Sequence, residues 1–374
     1  MKLLFIQQMI NPPVLTYTPP VTAKVSDAGE NDRVKYASST MQGARPSMED
    51  ALAVELDLDE TTSFFGVYDG HGGAKVAMYC AKQFHNMLLR DEDFLNNLPK
   101  AIKSVCSRLD DDLRRSNAWS VSLNPHGSFN CFQFLNTGVF ASLWRAMELG
   151  FSPCQGTYVP PLHEGSTACV VTIRGNQIIV GNVGDSRCVL SRNGQAIALS
   201  IDHKPTIPNE CERILRAGGQ LLRPDRVETG PSYVQGMLAM SRAIGDFALK
   251  QNRNMLPSQQ MVTCIPDIRG ANITDDTEFL VIASDGVWDH MSNKQVVSFV
   301  RQKLRSGRNS LGKICEMLLD RCLPPRDNAT VILVQFKHIA QESNEVADAI
   351  STDEQLNVDN PIDNPISTEQ PHKH

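Results

Sequence analysis

The sequence contains no Cys-x-x-Cys pair, no basic stripe, no internal repeat and no apolar run of membrane-spanning length. Each absence excludes a class of protein. The ten cysteines stand singly at 80, 106, 131, 154, 169, 188, 211, 264, 315 and 322, so neither a zinc site nor a disulfide framework is expected. Small core thiols in a reducing compartment account for them. A membrane helix needs about 20 predominantly apolar residues, and no such stretch occurs. A net charge of −6 without clustered Lys and Arg argues against a nucleic-acid binder. The opening Met1-Lys2-Leu3-Leu4-Phe5-Ile6 is broken by Gln7-Gln8 and lacks a small-residue cleavage site, and no glycine follows Met1. A soluble protein of the cytoplasm, the nucleus or both is expected.

What is present is a chain of 374 residues, 41% hydrophobic, long enough to bury one large core or two ordinary ones. Its central stretch is Phe64-Phe65-Gly66-Val67-Tyr68-Asp69-Gly70-His71-Gly72-Gly73. A strand-like run ends in an acid, a histidine and three glycines, and helical spacing begins near Ala74. Helices are predicted over Ala74–Leu89, Phe94–Arg115, from Pro208 to the Gly218-Gly219 stop, Lys294–Leu304 and Leu311–Arg321, with a short one over Val139–Leu149. Two hairpins, Thr167–Ile173 with Gln177–Val183 and Arg187–Ser191 with Gln195–Leu199, read as one antiparallel meander. Further strands are predicted at Phe279–Ala283 and Thr330–Phe336. The expected division is an extension over 1–33, a domain over 34–338 and an acidic disordered tail over 339–374.

Acids recur at turns: Glu49-Asp50, Asp69, Asp285 and Asp327, with glycine directly after Asp69 and Asp285. Each alone is ordinary turn chemistry. If they converge, their charges repel and some must take up protons. A divalent cation removes that conflict, and all-oxygen donors select hard ions such as Mg²⁺ or Mn²⁺. Metal-assisted phosphate hydrolysis then follows.

The motifs occur in a definite order. They are Gly43-Ala44-Arg45-Pro46-Ser47-Met48-Glu49-Asp50, Val67–Gly73, Gly184-Asp185-Ser186-Arg187 and Asp202-His203-Lys204-Pro205. Then come Glu212-Arg213-Ile214 with Gly218-Gly219, Leu238–Asp246, Ala283–Asp289 and Arg326-Asp327-Asn328-Ala329-Thr330. In these the chain resembles the metal-dependent Ser/Thr protein phosphatases of type 2C (PPM), and its Met41-Gln42-Gly43 and Val334-Gln335-Phe336 look most like plant members.

The resemblance implies an α+β fold, two antiparallel β-sheets packed as a sandwich and flanked by helices. It also implies a site with two Mg²⁺ or Mn²⁺ ions acting on phosphorylated protein substrates. By motif, Asp69 bridges the two ions and the Gly70 carbonyl binds one, while Asp285 and Asp327 bind the other. Glu49 and Asp50 hold waters around the ions, and Asp185 and Asp289 match a third metal site. Arg45 grips the phosphate and His71 protonates the leaving oxygen. His203 is expected to anchor a loop, and Arg242 and Asp246 to pair with each other. A monomer is expected. Two other readings compete: a type 2C-like regulatory module without turnover, and a two-metal phosphodiesterase. The first would lack a metal-binding acid, and the second usually mixes several histidines with its acids. Asp225-Arg226-Val227 and the Glu228–Gln235 segment depart from the family pattern.

Overall fold

A computed structural model describes residues 19–115, 160–223, 230–324 and 327–337. The helix expected over Val139–Leu149, the tail from 339, Arg326 and most of the 116–165 segment lie outside those residues, as do 1–18 and 224–229. The chain begins β1 (Val21–Glu30), β2 (Val34–Gly43), β3 (Ala51–Glu55), β4 (Thr62–Tyr68) and β5 (Gly70–His71), then α1 (Lys75–Leu89) and α2 (Leu98–Arg115). Next come β6 (Gly165–Ser166), β7 (Ala168–Arg174), β8 (Gln177–Val183), β9 (Arg187–Arg192), β10 (Gln195–Ala198) and α3 (Pro208–Arg216). Short strands β11 (Leu221–Leu222), β12 (Tyr233–Val234) and β13 (Ile244–Gly245) precede β14 (Asp267–Asn272) and β15 (Thr277–Ala283). The last elements are α4 (Asp285–Trp288), α5 (Asn293–Arg305), α6 (Leu311–Asp320) and β16 (Ala329–Phe336).

Two large antiparallel sheets carry the fold, one ordered β1-β2-β16-β15-β9-β10 and the other β14-β8-β7-β4-β3. Strand alternation explains how they meet. In β4, Phe65 and Val67 join the cluster between the sheets, whereas Phe64 and Tyr68 pack with α1 and α2. In β15, Leu280 and Ile282 join that same inner cluster, whereas Phe279, Val281 and Ala283 pack with α5 and α6. Both faces of these strands are therefore buried. That is why they show as continuous apolar runs rather than as alternation. The expected sandwich with helices on its outer faces is the observed fold.

Two expectations need correction, and one strand was not expected. Residues 21–30 of the expected extension form β1, an edge strand paired with β2 from Val21↔Gly43 to Glu30↔Lys35. Its sequence hid it because an edge strand with little buried surface needs few apolar residues. The two hairpins are not one meander: β7–β8 lie in one sheet and β9–β10 in the other, with Gly184-Asp185-Ser186 crossing between. The polar strand β14, which pairs with β8, carried no sequence signal.

Register brings the motif ends together. Ala51 pairs with Tyr68 and Ala168 with Val183, so Asp50, Asp69, Thr167 and Gly184 lie at one end of the five-stranded sheet. Met41 pairs with Ala329 and Ala283 with both Val331 and Arg187, so Asp285 and Asp327 lie at one end of the other.

A buried ion pair ties α2 to this end. Asp110 accepts from Lys250 Nζ at 2.6 Å and from Gly245 N at 2.9 Å, and Lys250 also donates to the Ala243 carbonyl at 2.8 Å. Removing one partner of such a pair strands the other charge away from water. Asp110→Ala should lower unfolding free energy by about 3–5 kcal/mol in a denaturant titration, whereas the Asp110→Leu/Lys250→Met double variant should recover most of that loss. If the double variant is no more stable than the single one, the pair's burial is not the source of the loss.

Candidate metal centre

Asp69 follows directly on β4, and its backbone is clamped from both sides. Its N–H donates to Thr167 Oγ1 at 2.9 Å, and its carbonyl accepts from Thr167 N at 2.8 Å. Thr167 Oγ1 shares a further hydrogen bond with Ser186 Oγ at 2.8 Å, and both hydroxyl residues are fully buried. Gly70 must be glycine, because a Cβ there would lie 2.5 Å from the Glu49 carbonyl oxygen. The β2–β3 loop is therefore pressed against the Asp69 turn.

Asn328 holds that loop in place. Its Nδ2 donates to the carbonyls of Gln42 at 2.6 Å and Ser47 at 3.0 Å, and its Oδ1 accepts from Glu49 N at 2.8 Å. The buried Asp50 accepts from Ser284 Oγ at 2.8 Å through Oδ2, while its buried Oδ1 has no partner among the described residues. Asp285 opens α4 at the end of β15. Asp327 stands at the start of β16 and accepts from Arg45 Nη2 at 2.5 Å. Asp185, on the turn between the sheets, is almost fully buried and accepts from Lys204 Nζ at 2.5 Å, with its Oδ1 unpartnered.

Electrostatics show that the acids feel one another. Burial, then the charges of Asp50, Asp285, Asp185 and Asp327, hold the Asp69 carboxyl well above its usual range. Burial and the charges of Asp185, Asp289 and Asp327 push Asp285 up to about 8, with Lys204 opposing. Burial likewise raises Asp50 to about 6, with the hydroxyls of Thr330 and Ser284 opposing and the Asp327 charge adding to it. Burial raises the more exposed Asp289, and Asp185 adds to it while Lys204 opposes. Among the described residues no three or more Asp, Glu, His or Cys side chains already form a closed metal cage. The fit to cations lies in the donor set: oxygen only, negatively charged, with orphaned buried oxygens on Asp50 and Asp185.

His71, on β5, lies beside this cluster, and its partner differs from expectation. His71 Nε2 lies 2.7 Å from Asp246 Oδ2. Asp246 therefore does not pair with Arg242. Arg242 instead donates to Glu210 at 2.6 Å and to Asp267 at 2.7 Å. Glu210 also accepts from Arg213 and Ser241, each at 2.6 Å, and despite its burial these partners lower its carboxyl to about 2. Burial disfavours a charged His71, but the Asp246 carboxylate outweighs it and raises the imidazole's pKa. His203 does anchor a loop: its Nδ1 accepts from Gly184 N at 3.1 Å, and its carbonyl accepts from Ser241 N at 2.8 Å.

Residues 34–131 and 152–330 match the family described as Protein phosphatase 2C. The chain belongs to the protein phosphatase 2C family. It is 66% identical to "Probable protein phosphatase 2C 21" of Oryza sativa subsp. japonica, over 87% of this chain and 89% of that one. It is 51% identical to "Putative protein phosphatase 2C 22" of the same plant, over 85% and 68% respectively. A crystal structure of serine-threonine phosphatase 2C from Toxoplasma gondii superposes with a TM-score of 0.63 over 84% of this chain and 99% of that one. At 21% identity that likeness speaks to the fold.

In this phosphatase 2C chain, four roles were not read from the sequence: Asp246 as the partner of His71, Lys204 as the cation on Asp185, Thr167 as the clamp on Asp69, and Asn328 as the tie on the Arg45 loop. Asp246, Lys204 and Asn328 each stand in one of the ordered motifs, whereas Thr167 carried no such signal. The raised carboxyls bind protons more tightly folded than unfolded. The metal-free fold should therefore lose stability as pH rises from about 4 toward 8. In calorimetry with a chelator, the melting temperature should fall from pH 5 to pH 8. At pH 8, Asp285→Asn should raise metal-free stability by about 1–3 kcal/mol, solvent screening and coupling reducing the roughly 1.4 kcal/mol per pKa unit. A metal-free stability that does not fall with pH would show that these carboxyls are not crowded.

Proposed function

We propose that this phosphatase hydrolyses phosphoserine and phosphothreonine in proteins with two Mg²⁺ or Mn²⁺ ions held by Asp69, the Gly70 carbonyl, Asp285 and Asp327. The observation carrying this reading is the gathering of oxygen donors from separate chain segments at one end of the sandwich. Bound there, the ions would neutralise phosphate charge and make water a nucleophile at neutral pH. Glu49 and Asp50 would order water around them, and Asp185 and Asp289 could take a third ion only in competition with Lys204.

Arg45 is suited to grip the phosphate. Asp327 holds one nitrogen of its guanidinium, and the side chain stays about half exposed, so further N–H donors remain for phosphate oxygens. As the water oxygen bonds to phosphorus, the bond from phosphorus to the Ser or Thr oxygen breaks and its electron pair stays on that oxygen. His71 supplies the proton that oxygen needs, leaving inorganic phosphate and a free hydroxyl. The regulatory-module alternative draws no support, because Asp69, Asp285 and Asp327 are all present. We read the phosphatase as a monomer of the cytoplasm or nucleus; its described cysteines are free thiols, which suits a reducing compartment.

Purified protein should release phosphate from a phosphoserine peptide with Mn²⁺ and stop on chelation. Asp285→Asn should lose at least about 10²-fold in kcat and bind Mn²⁺ more weakly by calorimetry, with the fold intact. Arg45→Lys should raise KM for the peptide about tenfold, since an ammonium cannot make the paired contact. Turnover unaffected by chelator would remove the metals from the mechanism.

A further inference from the structure

The contact between His71 and Asp246 is made by residues 175 positions apart in the chain, and the surrounding backbone leaves room for it. A Cβ at Gly165 would lie 2.2 Å from Asp246 Oδ2 and 2.7 Å from His71 Nε2, so the pair fits only because residue 165 lacks a side chain. Asp246 itself holds φ 53° and ψ 45°, a left-handed conformation unusual for a residue other than glycine. Gly245 before it has φ 89°, and a Cβ there would lie 2.5 Å from the Glu164 carbonyl. The strained turn is fixed from outside: Asp246 N donates to the Glu164 carbonyl at 3.1 Å, and Ala248 N to that of Leu162 at 2.9 Å. A backbone strained and held in this way marks a side chain whose direction matters.

We infer that Asp246 is the positioning residue for the proton donor: it orients the His71 ring through Nε2 and leaves Nδ1 to deliver the proton to the departing Ser or Thr oxygen. This rests on reading His71 as the acid. Asp246 is buried, with 4% of its surface exposed, so its carboxylate is not free to turn to water. An Nε2–H donating to Asp246 Oδ2 fixes the ring's orientation, and the protonated ring then has Nδ1–H as the proton it can give, returning to the Nε2–H tautomer once that proton has gone. His71 Nδ1 is buried and has no hydrogen-bond partner among the described residues, so the fold leaves that nitrogen to an oxygen from outside it. The bland alternative is an ion pair that merely staples the Asp246 turn to β5.

Leaving-group dependence separates the two. A phosphoserine oxygen departs poorly without a proton, whereas nitrophenolate departs unaided. Loss of general acid catalysis costs about 10²–10⁴-fold, which caps what Asp246 can contribute through His71. The full-length Mn²⁺ enzyme is assayed as wild type, Asp246→Asn, His71→Asn and the double variant, on a phosphoserine peptide and on p-nitrophenyl phosphate. Asparagine suits the test because it tolerates the left-handed backbone. Asp246→Asn should lose about 10-fold or more on the peptide and much less on the nitrophenyl ester, and it should add no further loss to that of His71→Asn. Gly165→Ala, which wedges the pair apart, should reproduce the same selective loss. Mn²⁺ affinity by calorimetry should be unchanged in Asp246→Asn. Equal losses on both substrates in Asp246→Asn, or independent losses in the double variant, overturn the inference while leaving His71 its role. If His71→Asn itself hurts both substrates alike, the acid reading falls and the inference falls with it.

Discussion

The constraint on which the rest of the structure depends is the crowding of carboxylates at one end of a dry sandwich. Burial first, and then the charges of their neighbours, Asp185 and Asp327 among them, raise the proton affinity of Asp50, Asp69 and Asp285. Such a cluster is unfavourable unless something positive enters it. Two cations of the chain itself already do: Lys204 on Asp185 and Arg45 on Asp327. Neither reaches all the acids, which is the physical opening for divalent metal in a phosphatase.

The fold supplies the stiffness that holds like charges together. Central strands buried on both faces fix the strand ends, and hydroxyl and amide side chains fix the turns beyond them. Thr167, Ser186, Ser284 and Asn328 carry no charge and do no chemistry, yet each orients a neighbouring acid or its loop. Outside this end, the Glu210 carboxylate gathers Arg213, Arg242 and Ser241, bracing α3 against the long excursion before β14. That network keeps Arg242 away from Asp246 and so leaves Asp246 for His71.

The organisation along the chain was largely legible. Helices α1, α3, α5 and α6 begin and end close to where periodicity and stop signals put them, because apolar faces, the proline that opens α3 and the serine caps of α5 and α6 are local properties. Strand β1 was not legible, since an exposed edge needs no apolar pattern, and β14 was missed for the same reason. The two hairpins were seen, but not their separation into different sheets. Hairpin formation is set by two turn residues, whereas sheet membership is decided by partners far away in sequence.

By itself, the sequence determined the family and the residue types its motifs offer. Acids, arginine and histidine stand in ordered motifs at the ends of apolar runs, and residue type alone selects hard cations and phosphate. Only the tertiary structure decided which of them meet. Partner choice depends on distances between segments that sequence spacing does not encode. Arg242 and Asp246 are four residues apart, yet one turns to Glu210 and the other to a histidine 175 residues away. The backbone between them, with its left-handed turn and the glycine opposite, sends the two side chains to different neighbours.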